Sequence, residues 1–227
     1  MISFPFLLFD ADNTLFDFDA GNRNAFHQVS LTFDFPDTDE LFRLYEDCNN
    51  AMWAAFDRGE CTKDFLVVER FRRFLSAAGL QRDPALCNQV HLNALGQSTL
   101  LLPHALEVCS TLSVSHRLYI VTNAVASVQK RRLSGSAIAP YISGAFISED
   151  AGASKPSTAY FDYVFQRVPG ITRENCLLIG DSLSSDIQGA NNYVLPCCWY
   201  NPKRMQPPDT MRIDFQIQDL RQLYEIV

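Results

Sequence analysis

Positive charge is in short supply in this chain. Nineteen lysines and arginines face 26 aspartates and glutamates, giving a net charge of -7 and a pI near 5.0. That balance argues against binding to a nucleic-acid polymer or an anionic membrane surface, both of which need basic patches. If the substrate is an anion, local groups must overcome the overall sign, and each of the few lysines near a motif matters. Long hydrophobic runs are also missing, and no segment is apolar enough over sufficient length to span a bilayer. The seven cysteines (Cys48, Cys61, Cys87, Cys109, Cys176, Cys197 and Cys198) are odd in number and form no CxxC pair. No basic n-region opens the chain. The expectation is a cytoplasmic protein with reduced, mostly buried thiols, in which Cys197-Cys198 belongs to a core strand. His27, His91, His104 and His116 show no motif spacing. Internal repeats and low-complexity tracts are absent, and the proline-containing stretch 201–210 is the one linker-like segment.

What the chain does have is ample core material, 47% hydrophobic residues over 227 positions. Its opening stretch, Phe6-Leu7-Leu8-Phe9-Asp10-Ala11-Asp12-Asn13-Thr14, is an apolar run that ends abruptly in two aspartates. Such a run reads as a strand buried on both faces of a parallel sheet. From about residue 20 to 96 the periodicity becomes helical. Leu41, Tyr45, Cys48, Met52 and Phe56 recur at helical spacing, Thr62 and Asp83 read as N-caps, and Gly59 and Gly79 as stops. After Gly96 strands and helices alternate: Pro103 opens a helix, a helix runs from Ser185 to Asn192, Val194 to Trp199 reads as a strand, and Asp219 caps a final helix. The alternation implies right-handed crossovers and a parallel sheet. The predicted fold is α/β, a doubly wound, Rossmann-like parallel sheet core (1–16 and 97–227) with an inserted all-helical cap domain (17–96). An insertion after the first strand rises from the carboxyl edge, where open α/β sheets bind ligands, and is placed to act as a lid.

Four segments deliver chemistry to that edge. Asp10 and Asp12 follow the first strand, Thr122 and Asn123 a second, Lys155 precedes a helix, and Asp181 and Asp186 follow Gly180. Taken singly, each is a turn, a cap or a solvated charge. Together they crowd carboxylates that stay ionised only beside a cation. An oxygen-only donor set without His or Cys suits Mg²⁺. Lys155, the Thr122 hydroxyl and backbone N–H groups add what a phosphoryl group needs. Asp10 can then act as nucleophile, and Asp12 can protonate the leaving oxygen and later activate water.

These four segments, in this order and on these elements, resemble the motifs of the haloacid dehalogenase-like (HAD) hydrolase superfamily, and the helical insertion resembles its type 1 cap. The resemblance implies Asp10 as nucleophile and metal ligand, and Asp12 as acid/base with its backbone carbonyl on the metal. It implies that Thr122, Asn123 and Lys155 hold the phosphoryl group, that Asp181 is a further Mg²⁺ ligand, and that Asp186 stands behind, fixing Lys155 or a metal-bound water. Asp12 argues against a dehalogenase, which lacks the second acid. Lys63, the insertion's sole lysine, sits near a helix start and is a poor match for a phosphonatase lysine.

Closer still, Asp10-Ala11-Asp12-Asn13-Thr14-Leu15-Phe16-Asp17-Phe18 and Cys197-Cys198-Trp199-Tyr200-Asn201 resemble the bacterial pyrimidine 5′-nucleotidase subfamily of the YjjG type. Asn13, where that subfamily often has Glu, and Ala124, where Gly commonly follows Thr-Asn, depart from its pattern. The implied partner is a small phosphorylated metabolite, a nucleoside monophosphate, handled by a monomer or homodimer. The alternatives are a sugar-phosphate or phosphoglycolate-type phosphatase, a phosphomutase, and a binding module that kept the fold. Phe16, Phe18, Trp53 and Phe56 are candidates for stacking on a base, although aromatics of a Phe-rich cap mainly pack as core.

Overall fold

The computed structural model describes residues 4–227; residues 1–3, the start of the predicted core segment and of the leader reading, lie outside the described residues. In chain order the strands and α-helices are β1 (Phe6–Phe9), α1 (Phe18–Phe33), α2 (Asp39–Asp57), α3 (Lys63–Ala77), α4 (Pro84–Leu95), α5 (Ala105–Leu112), β2 (Arg117–Thr122), α6 (Ala126–Gly135), β3 (Ile142–Ile147), α7 (Ser148–Ala151), α8 (Thr158–Phe165), β4 (Cys176–Gly180), α9 (Gln188–Tyr193), β5 (Cys197–Tyr200) and β6 (Phe215–Ile217). They form two compact units. One holds the N-terminal segment to Phe18 together with Thr99–Val227, and the other is Asp19–Ser98.

The first unit is a six-stranded sheet, ordered β3-β2-β1-β4-β5-β6 and parallel throughout. Successive strand residues point to opposite faces, so each strand supplies two cores. Leu7, Phe9, Leu118, Ile120, Leu177 and Ile179 pack on one face with Ala105, Val108 and Cys109 of α5. Phe6, Leu8, Tyr119, Val121, Leu178 and Trp199 pack on the other with Tyr160, Phe161 and Val164 of α8. This two-sided burial is why the strands read as unbroken apolar runs. The first strand lies centrally, between β2 and β4, and the register sets Phe9 against both Ile120 and Ile179. The residues just beyond these pairs therefore gather at one edge. Cys197 and Cys198 are buried in β5, and all seven cysteines are free thiols.

Several boundaries differ from the sequence expectation. The helix expected from Pro103 begins at Ala105, because His104 takes the left-handed conformation at φ 66°. The helix expected from Ser185 is preceded by a π-helical turn over Leu183–Ile187 before α9. The strand expected from Val194 starts at Cys197, since Val194 is left-handed at φ 60° and ends α9. Asp219 does cap the last helix, in a capping box with Gln222, but that helix is 3₁₀, Leu220–Glu225.

The second unit is helical. Thr38, Thr62 and Asp83 side chains accept backbone N–H bonds at the starts of α2, α3 and α4, and Gly59 and Gly79 take the positive φ that follows the ends of α2 and α3. Phe26, Tyr45, Phe71 and Phe74 fill its core. A polar cluster is also buried there, with members from all four helices. Arg70 donates to Asn49 Oδ1 at 2.7 Å, to Asn88 Oδ1 at 3.1 Å and to the backbone oxygen of Val67 at 3.2 Å. His91 Nε2 lies 3.1 Å from Tyr45 Oη and 3.0 Å from Asn22 Oδ1. Burial, and then the Arg70 charge, hold the His91 imidazole well below its usual pKa, so it is neutral here. His91, which has no motif spacing, is thus a core hydrogen-bonding residue. Among the described residues no helix is long and apolar enough to cross a membrane.

Candidate active site

The end of β1 is a tight turn. Asn13 adopts a left-handed φ of 58°, which asparagine tolerates better than most residues, and its Oδ1 accepts the Phe18 N–H at 3.1 Å, at the start of α1. This local geometry accounts for an asparagine at that departure from the subfamily pattern. Thr14 is buried behind the turn and donates its hydroxyl to Asp181 Oδ1 at 3.3 Å.

Lys155 is the centre of the site. Its side chain is 1% exposed, and Nζ donates to Asp10 Oδ1 at 2.6 Å, Asp186 Oδ1 at 2.6 Å and the Val121 backbone oxygen at 2.7 Å. Those three acceptors use all three ammonium protons. Burial favours the neutral amine, but the Asp10 and Asp186 charges outweigh it, and the ammonium is held protonated above its usual range. Asp186 Oδ2 also accepts the Ser182 N–H at 3.1 Å. Gly180 is required for this approach, because a Cβ there would lie 2.3 Å from the Asp186 carboxylate.

Asp10, Asp181 and Asp186 each offer a carboxylate oxygen within 4.8 Å of the others. Burial, opposed by Lys155 and reinforced by the other carboxylates, raises Asp10 well above the usual carboxylate range. Burial and the Asp186 charge push Asp181 up to about 7. Carboxyls so placed are short of positive charge, and an oxygen-only set of this kind fits a hard divalent cation such as Mg²⁺. Asp186 already accepts from Lys155 and Ser182, which leaves Asp10 and Asp181 as its better-disposed carboxylates. Asp12 does not join this cluster through its carboxylate.

Thr122 and Asn123 differ in what they have left to offer. The Thr122 N–H donates to Tyr160 Oη at 3.0 Å, so it is not available to a substrate. The Thr122 hydroxyl accepts the Ala124 N–H at 3.1 Å and keeps its own proton to donate. The Asn123 amide is a clamp. Its Oδ1 accepts the Lys155 N–H at 3.0 Å and its Nδ2 donates to the Lys155 carbonyl at 2.9 Å. The Asn123 side chain thus fixes the backbone of Lys155. The candidate stacking residue Phe16 is fully buried in the sheet unit, so its expected place on a base is revised. Trp53 and Phe56 are half-buried and meet edge to face at 5.7 Å.

Two participants escaped the sequence reading. Trp199 Nε1 donates to the Asp181 backbone oxygen at 2.9 Å and fixes the turn from behind. Arg132, fully buried on α6, donates from Nη1 to Asp12 Oδ1. The signal for Arg132 was its phase. Val128, Gln129 and Arg132 share the buried face of α6, and a charged residue at a core-facing helical position asks for a partner.

With this geometry established, comparison with known proteins gives the family. The haloacid dehalogenase-like hydrolase model matches residues 6–193. The chain belongs to that family. The HAD-hydrolase YfnB of Bacillus subtilis is 36% identical over 97% of this chain and 94% of its own length. Its crystal structure, bound to magnesium, superposes with a TM-score of 0.95 over 99% of this chain and 98% of that one. Pyrimidine 5′-nucleotidase PynA of Streptococcus pneumoniae is 31% identical over 98% of this chain and 94% of its own. Pyrimidine 5′-nucleotidase YjjG of Escherichia coli is 29% identical over 100% and 99%. The six-stranded parallel sheet with helices on both faces is thus the fold of a HAD-like hydrolase.

Proposed function

We propose that this hydrolase is a Mg²⁺-dependent phosphomonoesterase that cleaves nucleoside 5′-monophosphates, with a preference for pyrimidines, through an aspartyl-phosphate on Asp10. The observation that carries the reading is the buried Lys155–Asp10 pair, with a second acid, Asp12, one residue away. Asp10 Oδ1 is engaged by Lys155, so Oδ2 is the attacking atom. It forms a bond to phosphorus while the bond from phosphorus to the ester oxygen breaks, and Asp12 gives that oxygen its proton. Asp12, now a carboxylate, takes a proton from water as the water oxygen attacks phosphorus. The bond to Asp10 breaks and inorganic phosphate leaves. The Thr122 hydroxyl donates to a phosphoryl oxygen. Lys155 supplies positive charge beside the phosphoryl group while its three protons stay on Asp10, Asp186 and the Val121 carbonyl, and the Asn123 side chain keeps the lysine in place. Mg²⁺, held by Asp10, Asp181 and the Asp12 backbone carbonyl, supplies the further positive charge that a transferring phosphoryl group requires. Asp186 fixes Lys155. The helical unit, Asp19–Ser98, is assigned as the cap that selects the leaving group.

Names borne by PynA and YjjG support the nucleotide assignment. A panel of UMP, dUMP, dTMP, AMP and sugar phosphates tests it, with kcat/KM expected to be highest on the pyrimidine nucleotides. Faster turnover of sugar phosphates would sink the nucleotidase reading and leave the phosphatase one standing.

Metal and proton should compete for the site. A carboxyl whose folded pKa is raised binds more protons folded than unfolded. Stability then falls as pH rises from the unfolded value of about 4 toward about 7, the folded value of Asp181. A cation bound to the ionised carboxylates reverses that loss. Millimolar Mg²⁺ is therefore expected to raise the melting temperature clearly at pH 8 and little at pH 5. Equal shifts at both pH values would remove Asp10 and Asp181 as the ligands.

A further inference from the structure

We propose that Arg132 is the positioning residue of the acid/base Asp12. Three features of the sheet unit lead to this. First, Arg132 lies in the last turn of α6, is fully buried, and reaches across 120 residues of sequence to Asp12 Oδ1. Second, the guanidinium is held from two further sides. Nη1 also donates to Gln129 Oε1 at 3.2 Å, and the group lies over the Phe16 ring at 4.5 Å. Third, the Asp12 side chain remains 24% exposed while Arg132 is at 0%. Protein holds one carboxylate oxygen, and the group stays accessible to a reactant.

A buried ion pair is a poor way to gain stability, since an apolar replacement of similar volume often does as well. It is a good way to fix a direction. The planar guanidinium orients a carboxylate where a lysine ammonium acts as a point charge. Proton transfer requires the acid within hydrogen-bond reach of the ester oxygen, and small misplacements are costly. Phe16 and Gln129 thereby gain a role. They set the guanidinium, which sets Asp12.

This inference rests on the acid/base role given to Asp12 above, and the test separates the two. The readout is kcat/KM on UMP, whose alkoxide leaving group needs a proton, against kcat/KM on p-nitrophenyl phosphate, whose leaving group does not. Should UMP be a poor substrate, the best alkyl phosphate of the panel replaces it. Arg132→Met is expected to lose roughly 100-fold on UMP, the scale of a misplaced catalytic group, and only about threefold or less on the aryl ester, because general acid assistance contributes little there. The ratio of the two cancels any loss of folded enzyme. Asp12→Asn, run alongside, should show the same split. If Asp12→Asn lowers both substrates equally or neither, the acid/base role falls. If Asp12→Asn splits them and Arg132→Met does not, Arg132 is only structural and the inference is overturned. Arg132→Lys keeps the charge and loses the fork. It is expected to give the same split at smaller size, and serves if the methionine variant does not fold. Wild-type values for the lysine variant would overturn the requirement for a guanidinium.

Discussion

Asp10→Asn is expected to abolish turnover while leaving the fold in place. The substitution is isosteric, and it removes the atom proposed to form the bond to phosphorus. Loss of a covalent nucleophile costs on the order of 10⁴-fold or more in kcat. The fold should survive for a specific reason. Asp10 is a buried carboxyl pushed upward by burial and by Asp186, Asp181 and Asp12, and only Lys155 favours its charge. Asparagine relieves the crowding, and Lys155 keeps Asp186 and the Val121 carbonyl as partners. Steady-state assay of the purified variant, with circular dichroism and a thermal melt, checks both halves. Substantial residual turnover on every substrate would rule out the covalent route. Acid-quenched enzyme carrying labelled phosphate in the wild type and none in the variant would support it directly.

Lys155→Met should harm both stability and activity. The methionine fills similar space but leaves the Asp10 and Asp186 carboxylates, 11% and 0% exposed, facing each other without their ammonium. Removing one member of a buried ion pair costs about 3–5 kcal/mol, because the remaining charge is uncompensated. The sign with pH follows from the same picture. Without the lysine, protonating one carboxyl relieves the repulsion, so the deficit relative to wild type should be larger at pH 8 than at pH 5 and should shrink when Mg²⁺ is added. Urea unfolding at the two pH values, with and without the cation, measures this. An equal deficit under all conditions would mean that the lysine acts through packing. Turnover should fall by roughly 10²–10³-fold, the cost of removing a preorganised group that stabilises developing charge.

The helical unit shows where a sequence reading stops. Thr38, Thr62 and Asp83 cap their helices through bonds to backbone only two or three residues away, and such local rules are written in the chain. The cluster of Asn22, Tyr45, Asn49, Arg70, Asn88 and His91 takes members from four helices, up to 69 residues apart. No spacing announces it, and His91 carries no motif. It exists because four helices close on one another and any polar group caught inside must find a partner.

The same division runs through the site. What was legible in the residues alone is the α/β fold and the HAD-like hydrolase family. Apolar runs ending near Asp10, Thr122 and Asp181 read as strands of a buried parallel sheet, and residues that follow such strands meet at one edge because the strands are aligned. Which partners each of these residues has follows only from the tertiary structure. The Asn123 amide is spent on the Lys155 backbone, the Thr122 N–H is spent on Tyr160, Phe16 lies under a guanidinium, and Arg132 holds Asp12. Those pairings join residues up to 120 positions apart. They follow from how α6 and α8 settle on the sheet, and hydrogen-bond donors are allotted only when burial leaves no water to take them.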